Sequence, residues 1–240
     1  MKWRDLFADP HEAAVRRELR RQRWGRGITS RRERVEAWVS LILKDHGFLR
    51  LFYRNRHQVT PRLWRAAQPS PADIGAAKRL GVRTILSLRR DAFGGDALER
   101  EACERHGLAF ARVVMTSRQA PSKEMLREAM ATYKQLETPV LLHCKSGADR
   151  AGLATALWLI IMEGAPVADA AKALSPRYGH IRQSKTGILD HFVAEYGRTG
   201  EAAGLSLAEW VDRIYDPEAL AASFTTNRTA DRVLDAIGRE

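Results

Sequence analysis

Residues 139–160 read PVLLHCKSGADRAGLATALWLI. The apolar run Val140–Leu142 predicts a buried strand. It ends in His143 and Cys144, five residues separate Cys144 from Arg150, and an apolar helix starts at once. A cysteine at the mouth of a helix N-terminus sits in positive potential. Thiols so placed commonly ionise near or below neutral pH. The short turn Lys145, Ser146, Gly147, Ala148 and Asp149 lets successive backbone N–H groups face inward as an anion nest. Gly147 gives that turn its backbone freedom. The Arg150 guanidinium can grip two oxygens of an anion as a fork. Together these groups can hold a phosphoryl group in line with a thiolate.

Upstream of this stretch, strands and helices alternate. PSPADIGAAKRLG (69–81) predicts a helix opened by Pro71 and closed by Gly81, and VRTILSL (82–88) a strand. RRDAFGGD (89–96) predicts a loop with a Gly-Gly turn, ALEREACERHG (97–107) a helix, and LAFARVVM (108–115) a strand. TSRQAPS (116–122) is a loop whose Ser122 caps the next helix. This order predicts an α/β fold with a central, mostly parallel sheet flanked by helices. Beyond Arg150 the pattern is helical, broken at Gly164–Pro166, Pro176–Gly179 and Gly197–Gly204. Ahead of it, 10–24 reads as a helix. Ser30 with Glu33 is a capping-box pattern for the helix RRERVEAWVSLILKDHG (31–47), after which FLRLFY (48–53) leads toward the sheet. We expect a basic helical arm over 1–59, a catalytic domain over 60–200 and a helical extension over 201–240, the last without a functional reading.

The chain has 240 residues, 45% hydrophobic and 29% charged, which excludes a mostly disordered polymer. Two cysteines exclude a disulfide framework and a cysteine-rich zinc module. No apolar run is long enough to span a bilayer, and the N-terminus lacks the apolar core of a signal peptide. The expected setting is the cytoplasm. The net charge of +11 is uneven: residues 1–65 hold 17 Lys+Arg against 7 Asp+Glu, and the remainder 23 against 22. Such an arm is either a solvated charged helix or a contact for phosphates on an anionic partner. Val35, Trp38, Val39, Ile42, Leu43, Phe48, Leu49, Leu51 and Phe52 among its arginines form an amphipathic stretch. It can pack on the domain or lie on the inner face of an anionic membrane. No base-reading or stacking element points to nucleic acid.

HCKSGADRAG, in its strand–loop–helix setting, resembles the His-Cys-x5-Arg signature of the protein tyrosine phosphatase superfamily. WRAAQPSPADIGAAKRLGVRTILSLR (64–89) resembles the entry segment of its bacterial dual-specificity-like members. The likeness covers about residues 60–197. It implies a phosphomonoesterase without metal or cofactor, acting on a phosphorylated protein or a lipid head-group phosphate. Cys144 would be the nucleophile, Arg150 the phosphate ligand and His143 the orienter of the loop. Lys145, Ser146, Gly147 and Ala148 would supply phosphate-binding groups. Lys145 also resembles the lysine of lipid-directed members.

Two positions depart from that pattern. Ala151 stands where the family has a Ser or Thr that helps the sulfur leave, which keeps a weakly active phosphate-binding module as the alternative. The loop MTSRQAPSKE (115–124) has no Asp, and Glu124 falls in the next helix. Asp149 is then read as the general acid, as in myotubularin-like and Sac-like relatives, or as a loop-shaping partner of an arginine. Asp91 and Asp96 are the alternative acids. Cys103 reads as core, with a protective disulfide to Cys144 as its other reading. Gln183, Lys185 and Thr186 lie where a loop could return to the pocket.

Overall fold

A computed structural model of the chain describes residues 10–90 and 93–224. Its centre is a sheet of β1 (His57–Thr60), β2 (Leu63–Ala67), β3 (Thr84–Ser87), β4 (Ala109–Arg112) and β5 (Val140–Cys144). The spatial order is β1-β2-β5-β3-β4. β5 pairs in parallel with both β2 and β3, β3 with β4, and only β1 runs antiparallel. Every residue of β5 is buried, as an apolar run covered on both faces requires.

The helices are α1 (Pro10–Gly25), α2 (Arg31–Val39), α3 (Gly47–Phe52), α4 (Pro71–Arg79), α5 (Gly94–His106), α6 (Lys123–Tyr133), α7 (Asp149–Glu163), α8 (Val167–Ala170), α9 (Ile188–Thr199), α10 (Leu207–Arg213) and α11 (Pro217–Ser223). Alternate strand residues serve two cores. Leu86, Leu142 and Val140 join Leu126, Leu153 and Phe192 on one face. Ile85, Leu141 and Ala66 join Ile74, Ala102 and Cys103 on the other. This two-sided packing is the α/β architecture that the alternation of elements predicts.

Several local expectations change. Gly94 and Gly95 open α5 instead of forming a turn. A Cβ at Gly94 would lie 2.4 Å from Ala37 Cα, and one at Gly95 2.8 Å from Leu41 Cδ1. The pair is therefore a close-approach site for α2, with Ala37 and Leu41 sharing a small core with Trp24, Ala97 and Leu98. The 31–47 helix passes into a π-turn at Ser40–Lys44, and FLRLFY is helical as α3. Ser30 caps α2, but the Glu33 carboxylate turns to Thr29 N–H and Oγ1 instead of closing the capping box.

The extension is not a separate body among the described residues. Trp210 of α10 is buried against Phe192, Tyr196 and Tyr215. Tyr215 Oη donates to the Pro121 carbonyl at 2.7 Å, so the extension props the loop that precedes α6. Residues 225–240 lie outside the described residues. No helix among those described is long and apolar enough to cross a membrane.

Candidate active site

Parallel strands aim their C-terminal ends at one edge, the place where α/β sheets build sites. β5 ends there in His143 and Cys144, with Ala66 and Ala67 of β2 alongside. The chain then turns through 145–148 into α7. Gly147 adopts φ +75°, and a Cβ on it would lie 2.6 Å from Ala67 N and 2.7 Å from Ala66 C. Only glycine fits both the dihedral and the space.

Each carbonyl of this loop is held by a donor. His143 Nδ1 bonds the Cys144 carbonyl at 3.3 Å, and Gln68 N–H donates to Lys145 O at 3.3 Å. Asn55 Nδ2 donates to Ser146 O at 3.0 Å. Arg65 Nη2 donates to Gly147 O at 2.9 Å and Ala148 O at 3.0 Å. In a planar trans peptide the next N–H points opposite to the carbonyl. Each held carbonyl of 144–148 therefore turns the N–H of the next residue, from Lys145 to Asp149, away from its donor. Gly147 N–H itself donates to Cys144 Sγ at 3.2 Å. Arg150, half-buried at the start of α7, makes no hydrogen bond or ion pair among the described residues, so its fork is available.

Behind the loop lies a buried polar chain. Glu99 Oε1 is 2.5 Å from His143 Nε2, both side chains fully buried. Gln68 Nε2 donates to Asp96 Oδ1 at 3.2 Å. Arg89 donates to Gln68 Oε1 and makes a bidentate pair with Asp45 at 2.7 and 2.9 Å. Arg50 of α3 adds 2.8 Å to the same carboxylate. Burial pushes the Asp45 carboxyl up, but the Arg89 charge and hydrogen bonds outweigh it and hold it below the usual range. The arm is thus keyed into the wall of the site.

Residues 60–186 match the family described as PTP-SAK, Swiss Army Knife protein, DSP-PTPase phosphatase domain. The chain belongs to this family. It is similar to the dual specificity protein phosphatase TpbA of Pseudomonas aeruginosa, 31% identical over 113 residues, which are 46% of this chain and 48% of that protein. The chain thus spans about half the length of the curated relatives it matches. Solved structures with similar folds include TpbA bound to phosphotyrosine (23% identity, 64% of this chain and 89% of that one, TM-score 0.48). A putative phosphatase of Shewanella putrefaciens is another (21%, 60% and 90%, TM-score 0.49).

Within this PTP-SAK domain two of the carboxyls read from sequence as acids, Asp149 and Asp96, have hydrogen-bond partners. Asp149 is buried, and His180 Nδ1 donates to its Oδ1 at 2.7 Å while His180 Nε2 donates to Asp190 Oδ2 at 2.6 Å. Burial pulls the imidazole pKa down, but the bonds and charges of Asp149 and Asp190 outweigh this and raise it to about 9. Asp149 thus has a histidine 31 residues away as a partner. Asp96 is fully buried and caps α5 through Phe93 N–H at 2.9 Å. Asp91 lies outside the described residues. Lys145 adds its charge to the field at Asp45.

Cys103 and Cys144 are both free, in different cores on opposite faces of the sheet. Burial pushes the Cys103 thiol up to about 12, which makes it inert packing. Thr186 is buried, its hydroxyl bonded to Ser184 Oγ at 2.8 Å. Gln183 is exposed beside His180 and Arg182 in an open groove. Sequence reading missed Arg65, Asn55, Glu99 and His180. The arginine in WRAAQP was quoted for its likeness, but no spacing rule tells a buried guanidinium from a surface one.

Proposed function

We propose that the chain is a cysteine-dependent phosphomonoesterase working through a phosphocysteine intermediate. The observation that supports it is the loop itself: every carbonyl from Cys144 to Ala148 is held by a donor, which turns the following N–H groups away from those donors, and the Gly147 N–H points at Cys144 Sγ. Cys144 Sγ would attack phosphorus as the ester oxygen leaves, and water would then attack phosphorus and release phosphate and the thiolate. The N–H groups of the loop and the Arg150 fork would stabilise the charge on the equatorial oxygens, the kind of preorganised contact that dominates such reactions. His143, backed by Glu99, would fix the loop at the Cys144 carbonyl.

The leaving oxygen needs a proton. Asp149, held as the acceptor of a charged His180, is better suited to orient the first turn of α7, and Asp96 is committed to a cap. Asp91 is the remaining sequence candidate for the acid. For substrate we keep the class common to both sequence readings, a phosphomonoester on a phosphotyrosyl or dual-specificity protein target or on a lipid head group. The rival reading, a phosphate-binding module with slow turnover, rests on Ala151, which is fully buried where the family's hydroxyl would stand.

Steady-state hydrolysis of p-nitrophenyl phosphate tests the proposal. Cys144→Ser should abolish turnover while tungstate still binds, because the nucleophile is not the main anion ligand. Arg150→Lys should also fail, since a point charge cannot replace the fork. Activity above a few per cent in Cys144→Ser would overturn the assignment. Wild-type protein that binds tungstate without turnover would favour the binding module. Phosphotyrosyl peptide and phosphoinositide assayed side by side would separate the substrate classes.

A further inference from the structure

The outer face of α2 and the π-turn that follows it carry an apolar ridge. Val35, Trp38, Val39 and Ile42 recur at the spacing of one helical face, and Leu43 follows. All are exposed, Val35 by 64% and Leu43 by 66%. The opposite face does the docking, through Ala37 and Leu41. Phe48 and Phe52 of α3 extend the ridge, Phe52 with 92% exposure. Trp38, Ile42 and Phe48 line one shallow cleft with Arg50 and Gln68, so the α2 and α3 parts are contiguous. Single exposed apolar residues are ordinary, whereas a contiguous ridge of this kind marks a contact surface.

Its charge selects the partner. Arg31 stands one turn before Val35 on the same face, and Lys44 follows Leu43. Both are exposed, with no ion pair among the described residues. The acidic side chains of α2 are neutralised: Glu33 pairs with Arg26, and Glu36 with Arg23 and Arg32. Aromatic and aliphatic side chains bordered by uncompensated cations match the interface of an anionic bilayer. The ridge also adjoins the phosphate loop. Gln68 at the cleft holds the Lys145 carbonyl, and Tyr53, next to Phe52, donates to the Tyr178 carbonyl at 3.3 Å, the same carbonyl that Asn55 bonds.

We propose that this ridge docks on an anionic lipid surface and seats the mouth of the phosphate loop at the interface. The docking stands on the exposed face alone; that the mouth is catalytic rests on the function proposed above. The test is co-sedimentation of the full chain with phosphatidylglycerol–phosphatidylcholine vesicles and with phosphatidylcholine vesicles, at low and high salt. The wild type should sediment with the anionic vesicles and release in high salt, where exposed charges are screened. Trp38→Ser/Phe52→Ser and Arg31→Glu/Lys44→Glu should each weaken partitioning by about tenfold or more, with p-nitrophenyl phosphate turnover in solution unchanged. No binding to anionic vesicles at low salt would overturn the proposal, as would both variants binding like the wild type. A wild-type dimer that Trp38→Ser/Phe52→Ser dissociates would assign the ridge to a second copy instead. Turnover is read without vesicles, so its absence would count against the phosphatase reading and not against docking.

Discussion

The buried guanidinium of Arg65 holds two successive carbonyls of the loop between β5 and α7, Gly147 O at 2.9 Å and Ala148 O at 3.0 Å. A third bond reaches Ala173 O at 2.7 Å, and the plane lies over the Tyr178 ring at 3.8 Å. Burial pulls its pKa down to about 10, so the group stays charged at neutral pH. Arg65→Lys keeps a charge but loses the fork. We expect kcat to fall about 100-fold, because a small displacement of positioned groups costs that much. Tungstate affinity should weaken in parallel, with the circular dichroism spectrum retained. Wild-type kcat in folded Arg65→Lys would remove Arg65 from the positioning apparatus.

Asp149→Asn distinguishes an acid from an orienting carboxylate. General acid catalysis contributes about 10²–10⁴-fold, and only when the leaving oxygen is basic. With Asp149 engaged by His180, the variant should slow alkyl and aryl phosphates by similar factors. A loss confined to poor leaving groups would restore Asp149 as the acid.

The Asp149–His180–Asp190 bridge makes stability depend on pH. The folded pKa of His180, about 9, lies above the ordinary value near 6.5. The bridge therefore contributes fully below about pH 6.5 and is lost as the pH rises through 9. Its worth is about 3 kcal/mol at most. Thermal unfolding from pH 6 to 10 should show a decline that His180→Gln lacks. Parallel profiles for the two proteins would show that the bridge is not charged.

Asp45 keys the arm to the domain. Removing one member of a buried ion pair typically costs 3–5 kcal/mol, because the other charge is left uncompensated. Asp45→Asn should lower the urea midpoint by a corresponding amount, since Arg89 is buried beside it. Asp45→Asn together with Arg89→Met should recover part of the loss. A neutral effect of Asp45→Asn would mean that the arm is held by its other contacts, such as the Trp24, Ala37 and Leu41 core and the Arg34–Glu101 pair.

The glycines show where local sequence rules run out. Gly81, Gly107 and Gly164 end their elements with positive φ, as chain-local reading expects. Gly94 and Gly95 carry the same turn signal, yet they open a helix because α2 crosses there. The exposed ridge was legible as an amphipathic stretch, but its packing was not. Helical spacing defines the face without saying what the face meets.

The sequence by itself determined the strand–loop–helix of 139–160, the alternation that makes a mostly parallel sheet, and the candidacy of Cys144 and Arg150. These rest on periodicity, caps and a spacing of a few residues, all local along the chain. The tertiary structure alone decided what surrounds them. Arg65 is 82 residues from Gly147, Asn55 is 91 from Ser146, and His180 is 31 from Asp149. A buried polar group must find a partner wherever the fold brings one within reach, and sheet order, not sequence distance, sets that reach. β2 lies beside β5 in the sheet, and so an arginine 79 residues upstream of Cys144 comes to hold the loop that follows Cys144.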